Sequence, residues 1–317
     1  MSKPTASAVA LITAAGLLGS ALYAGVPDTS PETRPVASDS TEATRWNQQG
    51  FKRVIRGKYK MIRGVDISYW NHLGPYPLNI KKLKRAGVRF IFMKASDGRP
   101  SVDADQDLAH WWSVDRAAAK AQGILVGGYQ YAVPTKKVAN LEADAIEQAT
   151  AAAARVGRLR RGDLPLVLDL ELAPWSLSKE QLTRWALTWL STAHRLTRRK
   201  PIIYSYNYFI NTRLQPDAGL GKYPFWQAQW TRGHSAPTPQ PGMREAKFWQ
   251  FSSVGLVQGG GSVGVTQDGS ANRISDLNVF MGKKRGLLRM AKVPWKKRGK
   301  YGLGPGYNKH GKAGGYR

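Results

Sequence analysis

The chain has 317 residues, a hydrophobic content of 42% and a formal net charge of +27, so it is long enough for one large barrel or two ordinary domains. It has no cysteine and five scattered histidines, which excludes disulfides, thiolate metal sites and the histidine spacing of a helical zinc site. The charge favours an anionic partner: nucleic acid, anionic lipid or an acidic polymer such as a cell wall.

The N-terminal residues 1–26 form an apolar segment. No charged residue lies between Pro4 and Pro27, and about 20 apolar residues suffice to span a bilayer. Lys3 precedes the run, as in a signal peptide or an anchor that starts in the cytoplasm. We expect this segment to export the protein or to tether it to a membrane. A buried core helix is the alternative.

A polar linker, residues 27–60, follows the apolar segment. Residues 27–50 are rich in Pro, Ser and Thr, a composition typical of linkers. Residues 51–60 are basic and lead into the folded domain.

Apolar runs alternate with helix-length amphipathic stretches between residues 61 and 282. Strands are predicted at Gly64–Ile67, Val88–Ala95, Ile124–Tyr131, Leu164–Glu171, Pro201–Tyr206, Pro224–Trp230, Lys247–Ser252 and Ile274–Phe280. Helices are predicted between the first five strands, at 79–87, 105–122, 138–159 and 178–199. This alternation is typical of βαβ units with a parallel sheet. Eight strands with reduced later helices predict an irregular, TIM-like α/β barrel.

The strand candidate Leu164–Glu171 ends in two carboxylates two residues apart. Residues i and i+2 of a strand point to the same side, roughly 6.5–7 Å apart. Asp169 and Glu171 should therefore project together from the C-terminal end of a buried strand, where α/β barrels hold their active sites. Two such acids do not both ionise easily, so one should have a raised pKa, as glycosidic bond cleavage requires. Capping of the next helix is the alternative.

The C-terminal residues 283–317 contain twelve Lys and Arg and no acidic residue. Because few apolar residues are available for packing, a disordered or loosely docked basic tail is predicted. We expect this tail to bind an anionic wall or membrane surface. A solvated tail without a specific role is the alternative.

Seven motifs between Gly64 and Phe280 resemble, in order, those of the glycoside hydrolase family 25 lysozymes. They are Gly64–Ser68, Phe92–Gly98, Gly123–Tyr131, Leu164–Glu171, Ile203–Tyr206, Phe248–Ser252 and Ser275–Phe280. Three positions depart from the family pattern. Gln130 stands for a His, Asp97 for a Glu and Ser275 for an apolar residue, and these changes are expected to alter the rim and polarity of the cleft.

The resemblance implies hydrolysis of the β-1,4 bond between N-acetylmuramic acid and N-acetylglucosamine in peptidoglycan. It implies Glu171 as the general acid/base, while the nucleophile is either a carboxylate or the substrate's own 2-acetamido group. Asp169 lies two residues from Glu171 and should therefore be beside the sugar on which Glu171 acts, which favours the second scheme. Asp66 and Asp276 would complete an acidic floor under the developing positive charge, with structural hydrogen bonding as the alternative. No cofactor or metal is expected.

Aromatic residues near the strand ends are candidates for a sugar-binding surface. We select Tyr129, Tyr206, Trp226 and Trp249, with ordinary core packing as the alternative for each.

Together these features predict an exported or membrane-tethered muramidase that acts at the cell wall, of the kind that phages use as endolysins. A monomer is favoured, although the sequence leaves the oligomeric state open. One alternative is a nucleic-acid-binding protein on a degenerate barrel, which the charge favours but the scarcity of aromatics in the tail does not. The other is an inactive wall-binding module, against which the presence of all four acids argues.

Overall fold

The computed structural model describes residues 61–72, 76–98, 102–230, 236–261 and 274–304. The predictions for the apolar segment and the linker, residues 1–60, lie outside the described residues, as does the part of the predicted tail after residue 304. Within the described ranges, no helix is both long and apolar enough to cross a membrane.

Eight strands close into a barrel and neighbour one another in chain order. They are β1 (Ile62–Ile67), β2 (Phe90–Asp97), β3 (Leu125–Tyr131), β4 (Val167–Asp169), β5 (Ile202–Tyr206), β6 (Phe225–Ala228), β7 (Ala246–Leu256) and β8 (Ile274–Phe280). Strands β1 to β7 are parallel, whereas β8 is antiparallel to both β7 and β1. The predicted barrel class is confirmed, and the expectation of a parallel sheet fails only at β8.

Among the described residues, five α-helices lie between the strands in the chain and cover the outside of the barrel, and a sixth follows the last strand. They are α1 (Ile80–Arg85), α2 (Val102–Ala121), α3 (Leu141–Val156), α4 (Lys179–Thr197), α5 (Asn207–Arg213) and α6 (Lys284–Met290). The predicted capping box is present at α4, where the side chains of Ser178 and Gln181 each accept the other's backbone N–H. The described residues between β6 and β8 contain no α-helix, which agrees with the predicted reduction of the later helices.

Large aromatic side chains fill the barrel interior. Phe92 stacks on Trp226 with ring centroids 4.4 Å apart. Gly64 and Gly127 provide the room for these rings, because a Cβ at Gly64 would lie 2.2 Å from the Phe90 ring and one at Gly127 would lie 2.5 Å from Phe92. The interior is therefore a packed core and not a pore.

The chain after β8 closes the end of the barrel at which the parallel strands begin. We call residues 283–304 the C-terminal plug. It comprises α6 and a 3-10 helix at Trp295–Tyr301, and it buries Leu287, Leu288 and Leu303 against the aromatic interior. The prediction of a disordered tail is therefore wrong for residues 283–304. Their apolar residues are few, but most of them, among them Leu287, Leu288 and Leu303, pack against the core, which would otherwise be open to water at this end.

Hydrogen bonds to the segments that precede the strands hold the plug in place. Arg89, just before β2, donates from Nε to the Gly302 carbonyl oxygen at 3.1 Å. The backbone N–H of Gly162, in the turn before β4, donates to the Ala291 carbonyl oxygen at 2.9 Å. We call this end of the barrel the plug end and the opposite end the cleft end.

Candidate active site

The four sequence-predicted acids lie at the cleft end. Asp66 is near the end of β1, Asp169 ends β4, and Glu171 follows two residues later. Asp276 is near the start of β8, and its Cα is paired with that of Asp66. Because β8 is antiparallel, its first residues lie beside the last residues of β1, which brings Asp276 to the other three acids.

Asp169 and Glu171 project toward the barrel interior. Leu168 and Leu170, which alternate with them, are fully buried in the layer between strands and helices. The strand pairing continues past Asp169, since the Leu170 backbone N–H donates to the Tyr204 carbonyl oxygen at 3.0 Å. The two acids therefore share the inner side, as the i, i+2 spacing predicts.

The Asp169 carboxyl group is buried and under strong electrostatic influence. Burial raises its pKa well above the ordinary value, the charge of Glu171 raises it further, and the charge of Lys94 lowers it. Its Oδ1 atom has no hydrogen-bond partner among the described residues. Since buried polar atoms are normally paired, this oxygen is an acceptor available to a ligand.

Two side-chain amides hold the Asp66 carboxylate. Gln250 donates from Nε2 to both carboxylate oxygens, at 3.2 and 3.1 Å, and Asn278 donates from Nδ2 to Oδ2. A hydrogen bond to the oxygen of each amide fixes its orientation. Gln250 Oε1 accepts from the Tyr204 hydroxyl at 3.0 Å, and Asn278 Oδ1 accepts from the Trp226 indole at 2.8 Å. Each amide therefore presents its NH2 group to Asp66.

The carboxyl groups of Asp66 and Asp276 are hydrogen-bonded to each other, and the pKa of each depends on the other. Burial raises the pKa of Asp66 to about 6, although its hydrogen bonds act in the opposite direction. Burial and the charges of Asp66 and Glu171 raise the pKa of Asp276 well above its ordinary value, and Asp276 is hydrogen-bonded to Asp66. This hydrogen bond lowers the pKa of Asp66 and raises that of Asp276, so Asp276 holds its proton more tightly than Asp66 does.

A lysine beside the acids was not identified from the sequence. Lys94 Nζ lies 2.6 Å from Asp97 Oδ2 and 4.7 Å from the centroid of the Tyr131 ring. The available signal was a Lys in an otherwise apolar strand, β2. Its charge partly offsets the negative charge around Asp169.

The four predicted sugar-binding aromatics have different positions. Tyr129 lies near the acids. Burial raises the pKa of its hydroxyl group, and the charges of the acids raise it further. Tyr206 is partly buried at the end of β5. Trp226 is 2% exposed inside the barrel and orients Asn278, whereas Trp249 is 1% exposed on the outer face of β7. The structure does not bring these two tryptophans to a sugar-accessible surface, and core packing explains both.

Two exposed tryptophans at the cleft end are stronger candidates for contact with sugar. Trp230, which follows β6, is 39% exposed and donates from its indole to Gln250 Oε1 at 3.2 Å. Trp175, in the loop after β4, is 60% exposed and lies against the Arg213 guanidinium. Exposure decides between such residues and core aromatics, and the sequence pattern does not report it.

The three departures from the family pattern differ in their consequences. Asp97 reaches the cleft through its ion pair with Lys94. Gln130 does not: it is fully buried on the outer side of β3, where it donates to the Gly98 carbonyl oxygen and accepts from the Trp189 indole. Ser275 is also buried and donates to the Gly260 carbonyl oxygen. The expected effect on the cleft rim is therefore wrong for Gln130.

Comparison with known proteins agrees with this geometry. Residues 65–260 match the model of the glycosyl hydrolases family 25. The bacterial lysozyme of Streptomyces coelicolor is 29% identical with a TM-score of 0.58, over 73% of this chain and 96% of that chain. A muramidase of Acremonium alcalophilum is 23% identical with a TM-score of 0.56, over 73% and 98%. The uncharacterized protein YegX of Escherichia coli strain K12 is 30% identical over 224 residues, 70% of each chain.

The family match covers more than half of the chain and includes Asp66, Asp169 and Glu171. The barrel with an antiparallel last strand, the cluster of four acids and the sequence similarity all lead to one classification. The chain belongs to the glycosyl hydrolases family 25 and is a glycoside hydrolase of the lysozyme type.

Proposed function

We propose that this enzyme cleaves the β-1,4 bond between N-acetylmuramic acid and N-acetylglucosamine in peptidoglycan, with Glu171 as the general acid/base. The observation that carries the proposal is the Oδ1 atom of buried Asp169, which has no hydrogen-bond partner in the part of the chain that the structure describes and lies on the same side as Glu171. A catalytic carboxylate and a free buried acceptor next to it suit a sugar that bears an acetamido group.

In the proposed first step, Glu171 protonates the glycosidic oxygen and the N-acetylglucosamine product leaves with its hydroxyl restored. The acetamido oxygen of the muramic acid attacks its own anomeric carbon, which forms an oxazolinium ring. Asp169 accepts the acetamido N–H and stabilises the positive charge of that ring. In the second step Glu171 takes a proton from water, which opens the ring and retains the configuration.

The remaining acids support charge at the floor of the site. Ionised Asp66, fixed by Gln250 and Asn278, provides a negative field for the oxocarbenium-like transition state. Asp276 holds its proton more tightly than Asp66 and so limits the negative charge at this floor. Lys94, through its effect on Asp169, favours the ionised form that the acetamido group requires.

The experiment is digestion of purified peptidoglycan, followed by reduction of the products and identification by mass. We expect reduced muramitol ends from the native protein and an activity about 10³-fold lower from Glu171→Gln, in the range for loss of a general acid. Glu245→Gln is the matched control, since Glu245 is exposed and forms an ion pair with Lys247. If the native protein released no muramitol ends, the proposed bond specificity would be wrong.

The same assay tests substrate assistance. Peptidoglycan that is N-deacetylated at the muramic acid lacks the internal nucleophile, so we expect the native protein to leave it uncleaved. Cleavage at an undiminished rate would contradict substrate assistance and would indicate a protein carboxylate as the nucleophile.

A further inference from the structure

Positive charge is concentrated at the plug end of the barrel. The C-terminal plug carries nine Lys and Arg and no acid. The loop 158–161, after α3, adds three arginines, and the segment 198–200, after α4, adds three more cations. Both lie at the same end as the plug, because Arg199 donates to the carbonyl oxygens of Met290 and Arg160.

Cations at this end are close enough to act on one another. Burial and the charge of Arg298 lower the pKa of Lys284 in the plug. Burial and the charge of Arg89, which contacts the plug, lower the pKa of Lys84 to about 8. Asp163, an acid at this end, is already engaged by Arg116 at 2.9 Å and Lys120 at 2.5 Å. Crowded like charges destabilise the free protein, and a polyanionic partner relieves that repulsion.

An exposed tryptophan lies within the cationic surface. Trp295 is 39% exposed, and the guanidinium carbons of Arg285 and Arg298 lie 4.9 and 4.6 Å from its ring centroid. A half-exposed Trp flanked by long basic side chains has the chemistry of a bilayer interface, where the indole sits at the headgroup level. Tyr301, the other aromatic among the described residues of the plug, is buried. The plug thus lacks the successive stacking platforms that single-stranded nucleic acid requires.

We infer that the plug end is a docking face for an anionic lipid bilayer, formed by the C-terminal plug and the segments 158–161 and 198–200. The acids occupy the opposite end of the barrel, so a molecule docked in this way directs its cleft away from the membrane. This inference rests on the proposed function in one respect: the orientation presents the cleft to peptidoglycan. The apolar residues 4–27 would act as a second membrane signal, and two weak signals together give stable attachment.

The test uses the full chain and vesicles of phosphatidylglycerol mixed with phosphatidylcholine, compared with phosphatidylcholine alone. Reversal of two exposed plug charges, Lys296→Glu with Lys297→Glu, should weaken binding to the anionic vesicles at least about tenfold. The matched control is Lys136→Glu with Lys137→Glu, an exposed pair after β3 at the cleft end, and it should bind as the native protein does. Equal binding by the plug variant and the native protein would overturn the inference.

Two further measurements identify the partner and the contact. Vesicles of phosphatidylglycerol with brominated acyl chains should quench the tryptophan fluorescence of the native protein more than that of Trp295→Phe, because Trp295 would enter the interface. Equal quenching would contradict docking by the plug. A plug variant that lost binding to DNA or teichoic acid but kept binding to vesicles would assign the face to a polymer. Peptidoglycan digestion by the same variants separates a failure of docking from a failure of the proposed activity.

Discussion

At the scale of single residues, the ionisation of Asp169 is balanced between opposing influences. Burial and Glu171 favour its neutral form, and Lys94 favours its charged form. The sequence predicted that one acid of the pair would have a raised pKa, and Asp169 has one. It did not predict the effect of Lys94, because the charge of a Lys on one strand acts on an acid of another strand only once the barrel has formed.

We predict that Lys94→Met shifts the acid limb of the pH profile of kcat/KM to higher pH. Removal of the lysine charge raises the pKa of Asp169 further, so a higher pH is needed to ionise it. Peptidoglycan digestion across a pH series measures the shift. Lys94→Arg retains the charge and is the control, and an identical acid limb in Lys94→Met and the native protein would contradict the prediction.

At the scale of elements, the C-terminal plug is a structural part of the barrel despite its charge. Leu287 and Leu288 in α6 are 0% and 1% exposed. Gly123, which precedes β3, has a positive φ of 62°, and a Cβ there would lie 2.2 Å from the Lys300 carbonyl oxygen. Composition alone indicated disorder, since it counts apolar residues without reporting which core surface they cover.

We predict that Leu288→Ala lowers the free energy of unfolding by about 2–5 kcal/mol, the range for large-to-small substitutions in a core. A disordered tail would tolerate the same change without effect. Urea denaturation of the full chain measures the difference. Leu196→Ala in α4 is the control, because Leu196 is 41% exposed and its truncation should change stability by less than about 0.5 kcal/mol.

At the scale of the whole molecule, the buried acids link stability to pH. The pKa values of Asp66, Asp169 and Asp276 are all raised in the folded state. The folded protein therefore binds more protons than the unfolded chain above the ordinary pKa of these groups, and their contribution to stability falls as pH rises. For Asp66 this window runs from its ordinary value of 3.8 to about 6.

We predict that the stability of the native protein relative to Asp66→Asn decreases between pH 4 and 7, by about 2 kcal/mol. A constant offset between the two proteins is expected from the altered hydrogen bonds to Gln250 and Asn278. The pH-dependent difference comes from the titration of Asp66 and from the loss of its effect on the pKa values of Asp276 and Asp169. Urea denaturation of both proteins at several pH values measures it. A difference that stays constant over this range would contradict the raised pKa.

The sequence by itself determined the barrel class and the four acids of the site. Strand alternation, the i, i+2 spacing of Asp169 and Glu171, and the order of the motifs are properties of neighbouring residues, so they can be read before the chain folds. Only the tertiary structure decided that Gln250, 184 residues from Asp66, holds its carboxylate, that Trp226 faces inward while Trp249 faces outward, and that a basic segment closes the barrel. These features depend on barrel closure and on the direction of β8, which bring together residues that are distant in the chain.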